Sequence, residues 1–210
     1  MQILQKALNW ITTILFPQPK NIETLFSNGY IRLFNMLPKS PTPPIGTTLF
    51  AYKHPATKSL VTTLKYKGDR TIAHFFAWCL IDHIHHIRSE ANLFNEPVYI
   101  VPIPRSKNRI REFGFCQTDL IARELIKLDP TLQIRNILYK KDIPAQTSLS
   151  RAKRLENVRD AFWIADPASI SGKSIILLDD VITTGATLKE ARQKLKAFGG
   201  HVVECLAVGH

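Results

Sequence analysis

The stretch SIILLDDVITTGAT, residues 174–187, decides how the rest of the chain is read. Four apolar residues, Ile175 to Leu178, run into the paired acids Asp179 and Asp180. After Val181 and Ile182 comes a turn of small residues, Thr183, Thr184, Gly185, Ala186 and Thr187. An unbroken Ile and Leu run bounded in this way predicts a strand buried on both faces. The segment behind it, GATLKEARQKLKAFGG, predicts a helix closed by a glycine pair. Such a strand delivers both carboxylates to its carboxyl end, where open α/β sheets bind ligands. Backbone N–H groups at the helix start, joined by threonine hydroxyls, make a phosphate cradle, and Gly185 lets the backbone approach a ligand closely. Two acids beside that cradle suit the vicinal hydroxyls of a ribose, so a sugar 5-phosphate satisfies both halves. The patterns G-x-x-x-x-G-K-[ST] and G-x-G-x-x-G are both absent from the chain, which disfavours a nucleotide-triphosphate loop and a dinucleotide fold.

Working outward, TTLFAYK, PVYIVPIP, DAFWIA and HVVECLAVG read as further strands. ATKSLVTTLKYKG, with Leu60, Val61 and Leu64 on one side, reads as a helix, as do RTIAHFFAWCLIDHIHHIR and GFCQTDLIARELIKL, the last by its Leu120, Ile121, Leu125 and Leu128 spacing. Strands alternating with helices imply a mostly parallel, twisted sheet covered on both faces. Residues 1–37 read as two helical segments interrupted at Pro17 and Pro19, with Leu8, Ile11, Leu15, Leu25, Phe26, Ile31, Leu33 and Phe34 as buried residues. PKSPTPPIG, Pro38 to Gly46, cannot hold a helix and suits a semi-rigid connector. The boundary is placed there, giving a helical N-terminal region over 1–45 and an α/β domain over 46–210.

At 210 residues, 45% of them hydrophobic and 21% charged, the chain has the composition of a folded globular domain, not of a disordered or fibrous one. Twenty-eight Lys and Arg against seventeen Asp and Glu leave a formal net charge of +11, which favours polyanionic partners. Cys79, Cys116 and Cys205 are odd in number and far apart, which argues against a disulfide framework and fits a reducing cytoplasm. His83, His85 and His86 have no cysteine at zinc-site spacing and read as the polar side of a helix. The N-terminal apolar stretch is broken by Gln5, Lys6, Asn9, Thr12 and Thr13, and no run approaches the ~20 apolar residues of a membrane span.

ILLDDVITTGAT resembles the phosphoribosyl-pyrophosphate signature of type I phosphoribosyltransferases. Further stretches occur in the order of the ComF/GntX family's landmarks: LKYKGDR (64–70), VPIP (101–104), RIREFGFCQ (109–117) and AQTSLSRAKRLENVRDAF (145–162). On these the chain is similar to that family, competence-associated proteins with a phosphoribosyltransferase-like domain, over roughly residues 47–208. The resemblance implies a type I phosphoribosyltransferase-like fold with a small helical N-terminal extension. It implies that Asp179 and Asp180 hold the ribose hydroxyls, and that Thr183, Thr184, Gly185, Ala186 and Thr187 hold the 5-phosphate. It places Arg105 and Ser106 against pyrophosphate, with magnesium as the cofactor. A basic residue there is physically sensible, since departing pyrophosphate develops negative charge. The chain departs from the family twice. No cysteine precedes Cys79, so the family's N-terminal zinc module is absent, and Phe113 and Cys116 stand where the family has arginine and asparagine. Cys116 reads as a small buried helix residue, not a nucleophile.

Three basic runs accompany the signature. The first is Lys65 and Lys67 around Tyr66, with Arg70. The second is Arg105, Lys107, Arg109 and Arg111. The third is Lys140, Lys141, Arg151, Lys153, Arg154 and Arg159. Taken singly, each reads as a solvated surface. With the net charge and the family's competence association they suggest salt-sensitive contact with single-stranded DNA, through Lys65, Tyr66, Lys67, Arg109 and Arg111. Gln146, Arg154 and Asn157 match the family pattern without an assigned role. Two readings result. One is a cytoplasmic protein that binds phosphoribosyl pyrophosphate and acts in DNA uptake beside other proteins of the uptake machinery. The other is an active phosphoribosyltransferase of nucleotide or nucleobase metabolism, a pentosyl transfer enzyme with no DNA role.

Overall fold

The computed structural model describes residues 22–41, 43–93, 96–140 and 161–210, and for residues 22–28 the backbone alone. Its elements run α1 (Ile22–Met36), β1 (Thr47–Phe50), α2 (Pro55–Lys67), α3 (Arg70–Glu90), β2 (Val98–Pro102), α4 (Lys107–Phe113), α5 (Gln117–Leu128), β3 (Gln133–Ile134), β4 (Leu138–Lys140), β5 (Phe162–Ile164), a 3₁₀ turn (Pro167–Ile170), β6 (Ser174–Val181), α6 (Ala186–Ala197) and β7 (His201–Gly209). The first N-terminal segment with Leu8, Ile11 and Leu15, the side chains of Leu25 and Phe26, and residues 141–160 with Gln146, Arg154, Asn157 and four more basic positions lie outside this description.

Five strands form one sheet in the order β1-β7-β6-β2-β3, every pairing parallel. Parallel strands carry helices on both faces, so the central strands need no polar side. Residues Ser174 to Leu178 are buried without interruption, as the unalternating sequence requires. Alternate residues still face opposite ways. Ile176 and Leu178 join Leu206 and Val208 in a core shared with α1, α2, α3 and α5. Ile175 and Leu177 join Cys205 and Ala207 in a second core with α6 and the β4–β5 ribbon.

The type I phosphoribosyltransferase-like α/β fold expected from the sequence is the fold observed, with corrections in detail. DAFWIA does form a strand, yet β5 pairs antiparallel with β4 in a separate two-stranded ribbon. β3, β4 and the short helix α4 had no counterpart in the reading of the sequence. Helix α1 turns Tyr30 and Leu33 inward, with Leu37 buried just past its end, and leaves Ile31 exposed at 47%, because positions three apart share a helical face and the next residue does not. In α5 the inward face is Ile121, Ala122 and Leu125, while Leu128 lies at the surface. Cys116 is half-buried at the N-cap of α5 instead of within the helix, its thiol beside the Thr118 hydroxyl and the Ile103 carbonyl. The proline-rich segment lies along the sheet edge, with Ser40 N–H bonded to Leu49 O and Ala51 N–H to Pro38 O.

Strand order also locates a crevice. From β2 the chain continues to β3 at one edge, and from β6 it continues to β7 in the opposite direction. The carboxyl ends of β2 and β6 therefore flank the point where connections part, the usual ligand site of open α/β sheets.

Candidate functional site

β6 brings Asp179 and Asp180 to that crevice, and β2 ends at Pro102 just before Arg105 and Ser106. The alternation that fills both cores sends the two acids to opposite faces. Asp180 is 5% exposed and points toward α2 and α5. There Gln117 Nε2 donates to its Oδ2 at 2.8 Å, and Lys65 Nζ lies 3.0 Å from the same oxygen. Asp179 is half-buried on the other face, and its Oδ1 accepts the N–H of Asp180 at 2.8 Å. Among the described residues, each acid has one carboxylate oxygen engaged and one without a hydrogen-bond donor.

The surroundings of Asp179 act on its charge. Burial, then the neighbouring Asp180 carboxylate, push the Asp179 carboxyl up to about 7, against the Asp180 N–H, Lys65 and Lys140, which favour the ionised form. Removal from water penalises the anion, and among the described residues no cation forms an ion pair with it to repay that penalty.

The turn behind the strand follows from a backbone requirement. Gly185 is the N-cap of α6 at φ +72°, in the left-handed region. A Cβ there would stand 2.3 Å from Ile45 Cγ2, so position 185 also has no room for a side chain. With no side-chain acceptor supplied by the N-cap residue, the first-turn N–H groups are left to other acceptors; Thr184 Oγ1 accepts from Ala186 N–H at 3.4 Å. Thr183 and Thr184 are exposed, and Thr187 is half-buried in the first turn. The turn opens onto a cleft of about 790 Å³ whose other walls are Pro43 to Ile45 and the flank of α6.

Of the basic residues expected from the sequence, Lys65 reaches Asp180, while Arg105 and Arg109 gather with Tyr66 around Phe113. The ring of Tyr66 packs edge-on against Phe113 with centroids 5.3 Å apart. Arg105 lies with its guanidinium carbon 5.0 Å from the Phe113 centroid and 5.8 Å from that of Phe115. Its Nη1 is buried with no hydrogen-bond acceptor among the described residues. Ser106 caps α4, accepting the Arg109 N–H at 3.4 Å, and Arg109 pairs with Glu112 at 2.8 Å on the surface. Lys67 and Arg111 are exposed. Gly68 closes α2 at φ +62°, and a Cβ there would meet the Phe115 ring at 2.8 Å, so the end of α2 packs closely on the turn between α4 and α5. Arg105 also lines a smaller pocket of about 320 Å³ that reaches Phe115, Tyr139 and Lys140.

Two features had no role in the reading of the sequence. Gln117 stands within the RIREFGFCQ landmark, but nothing local indicates that its amide reaches an acid 63 residues away. The contact of Ile45 with the turn left one trace, a glycine at 185. His85 and His86 pair with Asp129 and Glu90. Among the described residues no three His, Cys, Asp or Glu side chains gather as a metal site. No described helix is long and apolar enough to cross a membrane.

The phosphoribosyl transferase domain family matches this chain over residues 80–208. DNA utilization protein YhgH of Escherichia coli (strain K12) is 28% identical over 151 residues, 71% of this chain and 65% of that protein. Competence protein F of Haemophilus influenzae is 29% identical over 133 residues, 62% of this chain and 56% of that protein. Competence protein ComFC of Streptococcus pneumoniae is 27% identical over 160 residues, 76% and 66% of the two chains. The chain thus spans between about half and two thirds of the length of these relatives.

Proposed function

The chain belongs to the phosphoribosyl transferase domain family, with competence proteins of the ComF type among its relatives, and on that footing we propose that it binds phosphoribosyl pyrophosphate and acts in DNA uptake in the cytoplasm. The observation that carries this reading is the meeting of the Asp179–Asp180 pair and the Thr183–Thr187 turn at the crevice between β2 and β6. The ribose diol would take the unengaged carboxylate oxygens of Asp179 and Asp180. The 5-phosphate would take the N–H groups and hydroxyls of Thr183, Thr184, Gly185, Ala186 and Thr187. Arg105, whose buried guanidinium Nη1 has no acceptor among the described residues, supports a pyrophosphate position beside Ser106. A buried donor on a cation is costly until an acceptor arrives.

Magnesium fits this donor set as an ion carried in by the pyrophosphate, because hard carboxylate oxygens are present and an all-protein cage is not found among the described residues. When bound it would neutralise charge on the departing pyrophosphate, with the Asp179 and Asp180 carboxylates as the acidic groups that would hold it. The chain's own task is to orient the sugar and to hold Asp180 in place through Lys65 and Gln117. Transfer to an acceptor would make the protein a pentosyltransferase. Single-stranded DNA contact rests on the net charge of +11 and on the basic and aromatic residues Lys65, Tyr66, Lys67, Arg109 and Arg111. Lys65 and Arg109 are partly neutralised by Asp180 and Glu112.

Calorimetry with phosphoribosyl pyrophosphate and magnesium tests the pocket. The expected result is saturable binding that falls at least about tenfold in Asp180→Ala, the loss of one charge-assisted contact and of its positioning. Equal affinity in the variant would remove the site assignment. Pyrophosphate release in the presence of each common nucleobase then separates transfer from binding alone.

A further inference from the structure

We propose that the groove along the outer flank of α6 holds a single strand of nucleic acid, with its phosphates on Lys189, Arg192 and Lys196 and its sugars and bases against Pro43, Pro44 and Ile45. This rests on the reading of single-stranded DNA contact above, and gives the strand a surface that none of the three basic runs includes.

The groove is the cleft of about 790 Å³ onto which the threonine turn opens. Inward positions of α6, Leu188, Ala191 and Leu195, are buried in the core, which leaves Lys189, Arg192 and Lys196 together on the flank. At ~1.5 Å of rise per residue the row extends roughly 10 Å, farther than a pentose phosphate seated in the turn would reach. The ion pairs among the described residues include none of these three cations. Nε of Arg192 is buried without an acceptor among the described residues. Like charges three and four residues apart repel, and a bound row of anions relieves that repulsion. The facing wall is apolar. A bare polyphosphate would leave it unmet, whereas a nucleotide chain meets prolines and isoleucine with its bases and cations with its backbone. Lys196 sits in the last turn of α6, where the helix dipole already favours a cation, so Lys189 and Arg192 are the informative positions.

The test is fluorescence anisotropy with a labelled oligothymidylate of about 20 nucleotides, titrated with the full chain from about 50 to 200 mM salt. Lys189→Gln with Arg192→Gln should weaken binding about tenfold at low salt and flatten the salt dependence by roughly 1.4, at ~0.7 per phosphate contact. Its melting temperature and its calorimetric affinity for phosphoribosyl pyrophosphate should equal those of the unaltered protein. Lys67→Gln with Arg111→Gln should lose less. If that second pair loses the strand and the α6 pair does not, the groove assignment is wrong while single-strand contact stands. If the unaltered chain binds no oligonucleotide even at low salt, single-strand contact fails and the groove with it. If tripolyphosphate displaces nothing from the oligonucleotide complex but binds at Lys189 and Arg192, the groove is a small-anion site and the proposal is overturned.

Discussion

Asp179 and Asp180 are neighbours in the chain and strangers in the fold. Asp180 lies on the side enclosed by α2 and α5, 5% exposed, with a lysine and an amide sharing one of its oxygens. Asp179 lies on the side of α6 and the β4–β5 ribbon, held among the described residues by the backbone N–H of Asp180 and pushed up to about 7. The difference is produced by strand pleating alone: one residue of translation exchanges a paired, fixed carboxylate for an underpaired one. It assigns them different work at one ligand. Asp180 can hold a shape, and Asp179 can respond to a proton or a cation.

The largest effect should come from breaking the enclosed side. Asp180→Ala leaves the Lys65 ammonium and the Gln117 amide facing a vacated, buried position, and should cost about 2–3 kcal/mol in urea unfolding, moderated by the partial exposure of Lys65. A cost near zero would mean that the pair is not formed. Gln117→Leu removes one donor and keeps the lysine, so about 1 kcal/mol is expected. The open side should respond with the opposite sign and more weakly. The folded carboxyl of Asp179 stands at about 7 against its ordinary 3.8, so the folded chain binds that proton more tightly than the unfolded one. Its contribution is complete below that ordinary value and is lost as pH rises through about 7. Asp179→Asn should therefore unfold at higher urea than the unaltered protein at about pH 8, with the gain vanishing toward about pH 4. A variant less stable at pH ~8 would show that Asp179 is a paired carboxylate like its neighbour.

How much of this could be read beforehand follows distance along the chain. The acid pair and its turn are contiguous, so their adjacency was legible, as was the central strand from four unalternating apolar residues. β3 spans two residues and β4 three, too short for any periodicity to register, and DAFWIA therefore read as a strand without revealing its antiparallel partner. Period two predicts that the acids part, but which helix arrives at each depends on packing between distant segments, so Lys65 and Gln117 were visible only as a basic run and a landmark. The same holds for Ile31 and Tyr30 of α1, adjacent residues whose roles are exchanged by about 100° of helical rotation.

The contact between Ile45 and residue 185 has an evolutionary consequence. Ile45 Cγ2 occupies the volume that a methyl at 185 would need, so the isoleucine works as a gauge that rejects any larger residue in the turn. The two positions should drift together or not at all. Gly185→Ala should be poorly tolerated beside isoleucine and partly rescued by Ile45→Ala, with the left-handed backbone setting how far that rescue can go.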